Sequence, residues 1–348
     1  MRLTAALVAL ALARAAAASP WEKKEWGALV IGGAATSDSG RGTPKMAEAL
    51  RRKFPVEFVL GLGDAREIQS GIDRLTAQNV RKIVVVPLVL TTESAAMEQT
   101  QYVLGLRKEP SEDFFKAPHG HSGYTTSRRV QTKLPVVMSS GLDDHPLVAE
   151  ILAARAKEVS QHPKREWVFV VGRGGAADAE NELTQRHLAA LARSVAELGG
   201  FAGARAFTVR DDAPEAKTRA QAESALRKAV ASLSRSSRVI VVYAYLAPDG
   251  LEREVRRILD GTFFAPNTKG LIGDPRLAKW IEAKAREAAA MPNMRRFKDA
   301  GRPLEKPDAK RVLRLDTGAP KLRRPSAGNA TGPRRTIEPM SDTTSGGP

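Results

Sequence analysis

Two segments of this chain, one in each half, open in nearly the same way. Lys24-Glu25-Trp26 leads through an apolar run to Gly32-Gly33-Ala34-Ala35, and Arg165-Glu166-Trp167 leads through Val168-Phe169-Val170-Val171 to Gly172-Arg173-Gly174-Gly175-Ala176-Ala177. Aligning Trp26 with Trp167 needs no gap, so each half starts with a strand that delivers a Gly-rich loop. A repeat of this kind predicts a duplicated α/β unit, with any site at the strand ends between the two copies.

The rest of the chain keeps the same order. Short apolar runs at 27–31, 56–62, 82–90 and 134–138 predict strands, and amphipathic stretches at 43–53, 65–78, 94–106 and 143–160 predict helices. The second half repeats the alternation, with strands at 167–171, 204–209 and 238–246 and helices at 178–198, 214–233, 251–259 and 275–290. Residues 83–90 (IVVVPLVL) match 239–246 (VIVVYAYL), and the stretch before each final helix is again similar, at 142–147 and 272–277. Strand and helix in strict alternation specify parallel sheets covered on both faces. The expected fold class is therefore α/β, with two pseudo-symmetric flavodoxin-like domains, residues 24–160 and 164–290. A polar insertion at 107–132 breaks the first of them.

The ends of the chain read differently. Arg2 precedes an apolar run that closes in small residues, too short for the roughly 20 residues of a membrane span, so residues 1–19 are expected to be a cleaved export signal. That places the protein in the periplasm or outside the cell, with no transmembrane span after signal removal. The absence of cysteine excludes disulfides, thiolate metal sites and a lipid-modified cysteine. The net charge of +16 is uneven: from residue 291 onward there are 13 Lys/Arg and 6 Asp/Glu, in a segment rich in Pro, Gly, Ser and Thr. Residues 291–348 are expected to be a disordered basic tail, able to contact an anionic surface. No nucleic-acid motif is present. The first Gly-rich loop lacks both the Lys of a phosphate-binding P-loop and the G-x-G-x-x-G spacing of a dinucleotide fold.

Particular strings carry a likeness. Val86-Pro87-Leu88-Val89-Leu90-Thr91-Thr92-Glu93-Ser94, the segments at 142–150 and 270–280, and Gly172-Arg173-Gly174 together resemble the CbiX/SirB family of sirohydrochlorin chelatases over about residues 26–290. The resemblance implies a chelatase-like fold of two pseudo-symmetric sheets with a carboxylated tetrapyrrole in the cleft between them. It implies Co²⁺, Fe²⁺ or Ni²⁺ as the ion to be inserted. Insertion requires a ligand that strips water from the ion and a base that accepts two pyrrole protons, and neutral imidazole does both.

This sequence departs from that pattern. On the gap-free alignment Gly32 stands at the first-loop imidazole position, or Gly33 after a slip of one residue. Glu93 follows the third strand, Arg173 occupies the second-half loop, and Gly250 or Leu251 falls at the counterpart of Glu93. Glu93 is then the candidate catalytic residue and metal ligand, with His119 and His121 of the insertion as further candidate ligands. Gly32, Gly33, Thr92, Ser94, Arg173, Gly174 and Arg210 are the candidate substrate-binding residues. Arg173 remains charged and suits a carboxylate; Arg210 follows a strand whose end would line the cleft. Two readings follow: a chelatase acting as a lyase, or a non-catalytic tetrapyrrole- or metal-binding protein on the same scaffold.

Overall fold

The computed structural model describes residues 24–32, 39–116, 128–247 and 249–299. The expected export signal, Gly33, the imidazoles of His119 and His121, and residues 300–348 of the expected tail lie outside them. Each half is a four-stranded parallel sheet. In the first, β1 (Gly27–Gly32), β2 (Val56–Leu60), β3 (Ile83–Leu88) and β4 (Val136–Met138) stand in the order β2-β1-β3-β4. In the second, β5 (Glu166–Gly172), β6 (Gly203–Thr208), β7 (Arg238–Tyr243) and β8 (Ala265–Pro266) stand in the equivalent order β6-β5-β7-β8. The order reverses between β1 and β3, and again between β5 and β7, which makes the carboxyl ends of these strands the natural crevice.

The central strands β1, β3, β5 and β7 are buried on both faces, and side chains alternate between two layers. Leu29, Ile31, Ile83 and Val85 face the outer helices α2 (Ala65–Ala77) and α3 (Ala95–Leu104). Phe169, Val171, Val239 and Val241 likewise face α7 (Ala216–Leu233) and α8 (Asp249–Ile258). The alternate residues Ala28, Val30, Val84, Val86, Val168, Val170, Ile240 and Val242 belong to one core that runs through both halves.

That shared core is built by an exchange. The last helix of the first half, α5 (Pro146–Val159), packs on β7 and on α6 (Asp178–Gly199) of the second. The last helix of the second half, α9 (Pro275–Ala289), packs on β3, β4 and α1 (Ser39–Arg51) of the first. Leu277, Ile281, Ala285 and Ala288 of α9 are fully buried there. The chain then crosses the edge of the first sheet: Met294 N–H donates to the Val136 carbonyl, and Arg295 donates to the Val130 and Thr132 carbonyls.

Two elements escape the sequence pattern. The five-residue α4 (Glu112–Lys116) opens the polar insertion, and β8 is two residues long and contains Pro266. Among the described residues no helix is long and apolar enough to cross a membrane.

The ladders also correct the alignment of the halves. Gly32 is opposite Leu60 and Leu88, and Gly61 N–H donates to the Gly32 carbonyl. Gly172 is opposite Thr208, Val209 N–H donates to the Gly172 carbonyl, and Ala244 follows as the counterpart of Leu88. Gly32 is therefore equivalent to Gly172, and the residue equivalent to Arg173 is Gly33. The two tryptophans that suggested otherwise are one register apart. In a strand this puts them on opposite faces: Trp26 packs on the shared core and Phe54, Trp167 on the outer layer of the second sheet.

Candidate functional site

A cavity of about 180 Å³ opens where the strand ends of the two halves meet, with room for a cluster of waters that an entering ligand would displace. Its walls are apolar and come from both halves: Phe58, Leu60, Leu88 and Leu90 from the first, Leu188 and Leu246 from the second. Polar groups enter at few points, namely Thr91, Ser94, Arg173, Glu180, Thr184 and Tyr245.

The Gly-rich loop after β5 supplies Arg173. Gly174 has φ +84°, and a Cβ there would lie 2.5 Å from Asn181 Oδ1 and 2.7 Å from Thr208 Cβ, so only glycine fits. The Arg173 guanidinium pairs with Asp211 and stands 5.4 Å from the Tyr245 ring centroid. Gly250 leaves it space at the start of α8, since a Cβ there would come within 2.9 Å of the guanidinium. Burial would lower the Arg173 pKa, but Tyr245, Asp211 and Asp212 raise it, so the group stays protonated. Burial, reinforced by Asp212, pushes Asp211 up against the pull of Arg173. The cation expected to receive a ligand carboxylate thus already holds one from its own half.

Arg210, also expected to face substrate, does not line the cavity. It sits at φ +53°, donates to the Gly175 and Ala176 carbonyls and pairs with Asp178 at 2.6 Å, so its role is to hold the Arg173 loop in shape. Thr92 is likewise internal: its N–H and hydroxyl both donate to Asp143 at 2.7 Å, and its Oγ accepts from Gly141 N–H. Ser94 lines the cavity while capping α3 through Met97 N–H. Gly32 lines it too, 3.8 Å from Leu246 by its would-be Cβ. Leu251 is fully buried in the second half's outer core.

Glu93 corrects the sequence expectation most. It is exposed and does not belong to the cavity lining, although Thr91 and Ser94 on either side of it do. The carboxylate that does enter is Glu180, in the first turn of α6. Sequence reasoning missed it, because an acid in a helix's first turn is fully accounted for by the dipole. Glu180 lines the crevice together with Thr91 and Ser94 of the first half, near the Ala95 N–H at the start of α3. Burial pushes its carboxyl above the usual range, Asp113, Asp212 and Glu98 add to the shift, and the nearby Ala95 N–H opposes it. Beside it, the buried hydroxyls of Thr91 and Thr184 are hydrogen-bonded across the halves at 3.0 Å.

No imidazole lines this cavity among the described residues. His145 caps α5 through Leu147 N–H, and His187 stands 4.0 Å from Asp143 behind the Thr92 turn. No group of three or more His, Cys, Asp or Glu is arranged to hold a metal ion among the described residues. One carboxylate and a few hydroxyls are a poor donor set for Co²⁺, Ni²⁺ or Fe²⁺, which favour nitrogen ligands.

Two parallel sheets of equivalent order, facing across a crevice at their carboxyl ends, define the two-domain chelatase-like architecture. Residues 28–159 match the CbiX family model. The structure of SirB from Bacillus subtilis with Fe³⁺ superposes with a TM-score of 0.51 at 16% identity, covering 76% of this chain and 96% of that one. The sirohydrochlorin chelatase SirB from Bacillus subtilis subspecies spizizenii, in complex with cobalt, gives 0.49 at 14% identity over 76% and 95%. CbiX, described as the terminal enzyme of siroheme biosynthesis in denitrifying bacteria, gives 0.46 at 16% over 76% and 100%. No curated protein matches the sequence.

Proposed function

We propose that the chain holds a carboxylated tetrapyrrole of the sirohydrochlorin kind in the crevice between its halves, as an exported binding protein on the chelatase scaffold. One observation carries this reading: two apolar walls from opposite halves face each other at the strand ends, a shape suited to the flat faces of a macrocycle. Binding rather than metal insertion is favoured by the donor set. Arg173 is neutralised by Asp211, Glu93 stands outside, and no imidazole lines the crevice among the described residues. Glu180 supports metal insertion as a second reading, because a carboxyl with a raised pKa can accept a pyrrole proton. In that reading the metal ion is a substrate, and its ligand would have to come from outside the described cavity.

The test is a visible-absorption titration of the purified full chain with sirohydrochlorin, followed by addition of Co²⁺. Saturable binding is expected, with Co²⁺ entering the ring no faster than in protein-free solution. Absence of binding removes the tetrapyrrole reading. Multiple-turnover insertion replaces it with the chelatase reading.

A further inference from the structure

Parallel strands gather all their starts at one end of a sheet. In the second half β5, β6, β7 and β8 run the same way, so the turns that feed them and the ends of α6, α7 and α8 meet at the end opposite the crevice. The turn into β8 carries Phe263, which is 85% exposed; the other exposed large hydrophobics among the described residues, Leu198 and Phe115, are 49% and 42% exposed. An ordered turn holds Phe263 out. Gly261 has φ +74°, Thr262 donates to the Leu259 carbonyl through both its N–H and its hydroxyl, and the next residue, Phe264, packs inward on the outer core. A single exposed apolar side chain is ordinary, but its setting here is not.

That setting is cationic. Arg227 of α7 supports the turn: its guanidinium donates to the Ile258 carbonyl and would lie 3.9 Å from a Cβ on Gly261. A carbonyl partner leaves its charge uncompensated. Lys228 beside it, Lys164 and Arg165 before β5, and Arg235 before β7 are exposed and stand in no ion pair among the described residues. At the end of α6, Lys157 donates to the carbonyl of Leu198, the second exposed hydrophobic of this end. Arg256 and Arg257 are matched by Glu252, Glu223 and Glu254 and add little. Against the uncompensated cations stand the exposed acids Asp260 and Glu197.

We propose that this end of the second half docks on a bilayer containing anionic phospholipid. Phe263 enters the boundary between headgroups and acyl chains, and the lysines and arginines around it face the lipid phosphates. An apolar tip set among bare cations matches a surface that is anionic outside and hydrocarbon beneath, and a bilayer is that surface. The crevice, at the opposite ends of the strands, stays clear of the membrane and open to its ligand.

The chain has no cysteine, so Phe263→Cys and Phe115→Cys each accept a single nitrobenzoxadiazole label on the full chain. Phe115 is the control, because α4 lies against Gly63, past the carboxyl end of β2 and away from the proposed surface. Vesicles of phosphatidylcholine with and without phosphatidylglycerol are compared. On the anionic vesicles the label at position 263 should shift to the blue and brighten, while the label at position 115 stays unchanged. In sedimentation with the same vesicles, Phe263→Ser should weaken binding about tenfold. Lys228→Gln and Arg235→Gln, whose native side chains hold nothing in the fold, should each weaken it about fivefold. Sedimentation without a response at position 263 would assign attachment to another part of the chain and overturn the proposal. An equal response on neutral vesicles, equal responses at both positions, or no sedimentation would overturn it as well. None of these outcomes touches the tetrapyrrole reading.

Discussion

The exchange of terminal helices makes each half dependent on the other, and this can be tested by cutting the chain. In a fragment of residues 24–160 the inner face of the first sheet loses α9. Val30, Val84, Val86 and Val137, each no more than 1% exposed in the intact protein, belong to the core that α9 completes. Uncovering a buried valine costs about 1.5 kcal/mol at the low end, so the four together lose about 6 kcal/mol. The whole stability of a domain is about 5–15 kcal/mol. The same cut strips α5 of its contacts with α6 and β7, exposing Ile151, Leu152 and Ala156.

The fragment should therefore not exist as a folded monomer. It has one way to recover its cover: two copies can exchange α5, each helix taking on the partner the role that α9 plays in the intact chain. Sedimentation velocity combined with urea unfolding followed by near-ultraviolet circular dichroism distinguishes the states. An unfolded monomer or a folded dimer is expected, and mixing with residues 164–299 should restore a cooperative 1:1 complex. A monomeric fragment with a cooperative urea transition would refute the argument, because it would show that the first sheet closes without α9.

Gly174→Ala should lower stability by about 2–4 kcal/mol, combining a left-handed backbone with overlap at Thr208 and Asn181; thermal unfolding should show Tm lower by about 5–15 °C, and an unchanged Tm would remove the steric account. Glu158 on α5 receives hydrogen bonds from Lys269 and Asn267 and pairs with Arg155. Burial opposes the shift, but these partners outweigh it and hold the Glu158 pKa at about 2, below its ordinary 4.5. Since the folded pKa is depressed, its contribution is complete above pH 4.5 and fades as pH falls toward 2; Glu158→Gln should destabilise at pH 7 and make no difference at pH 2 in urea titrations, and equal effects at both would contradict the assignment. Arg210→Ala leaves the Gly175 and Ala176 carbonyls without their shared donor, so amide exchange across residues 173–177 should accelerate about tenfold or more; unchanged exchange would show that the loop holds itself.

The strands were legible because each is a short apolar run whose alternate residues must serve two layers, and the parallel order follows once helices intervene. What the sequence could not contain is the partner of each helix. The apolar stripe of α9 (Leu277, Ile281, Ala285, Ala288) says that it covers something, and nothing local says that the sheet it covers belongs to the other half. β8 escaped notice because two residues, one of them Pro266, make no period. Glu93 drew attention through its place in a familiar string, yet a turn's side chains diverge within two residues: Thr91 and Ser94 turn inward and Glu93 outward.

The one-residue slip between the halves bears directly on how the site is read. Tryptophan is the heaviest landmark in each opening strand, and matching Trp26 to Trp167 placed Gly32 opposite Arg173. Backbone pairing has no such bias. The Gly32 and Gly172 carbonyls accept from Gly61 and Val209 at equivalent rungs, so these two glycines are the true counterparts. The strand ends themselves are not equally tight: a Cβ at Gly172 would press within 2.9 Å of Leu188, whereas at Gly32 it would meet Leu60 at an ordinary 3.6 Å. The chemical difference between the halves lies one residue further on, where the second has Arg173 and the first has Gly33. Among the described residues that line the crevice the charged ones, Arg173 and Glu180, both come from the second half, and this asymmetry gives a pseudo-symmetric scaffold one polar end.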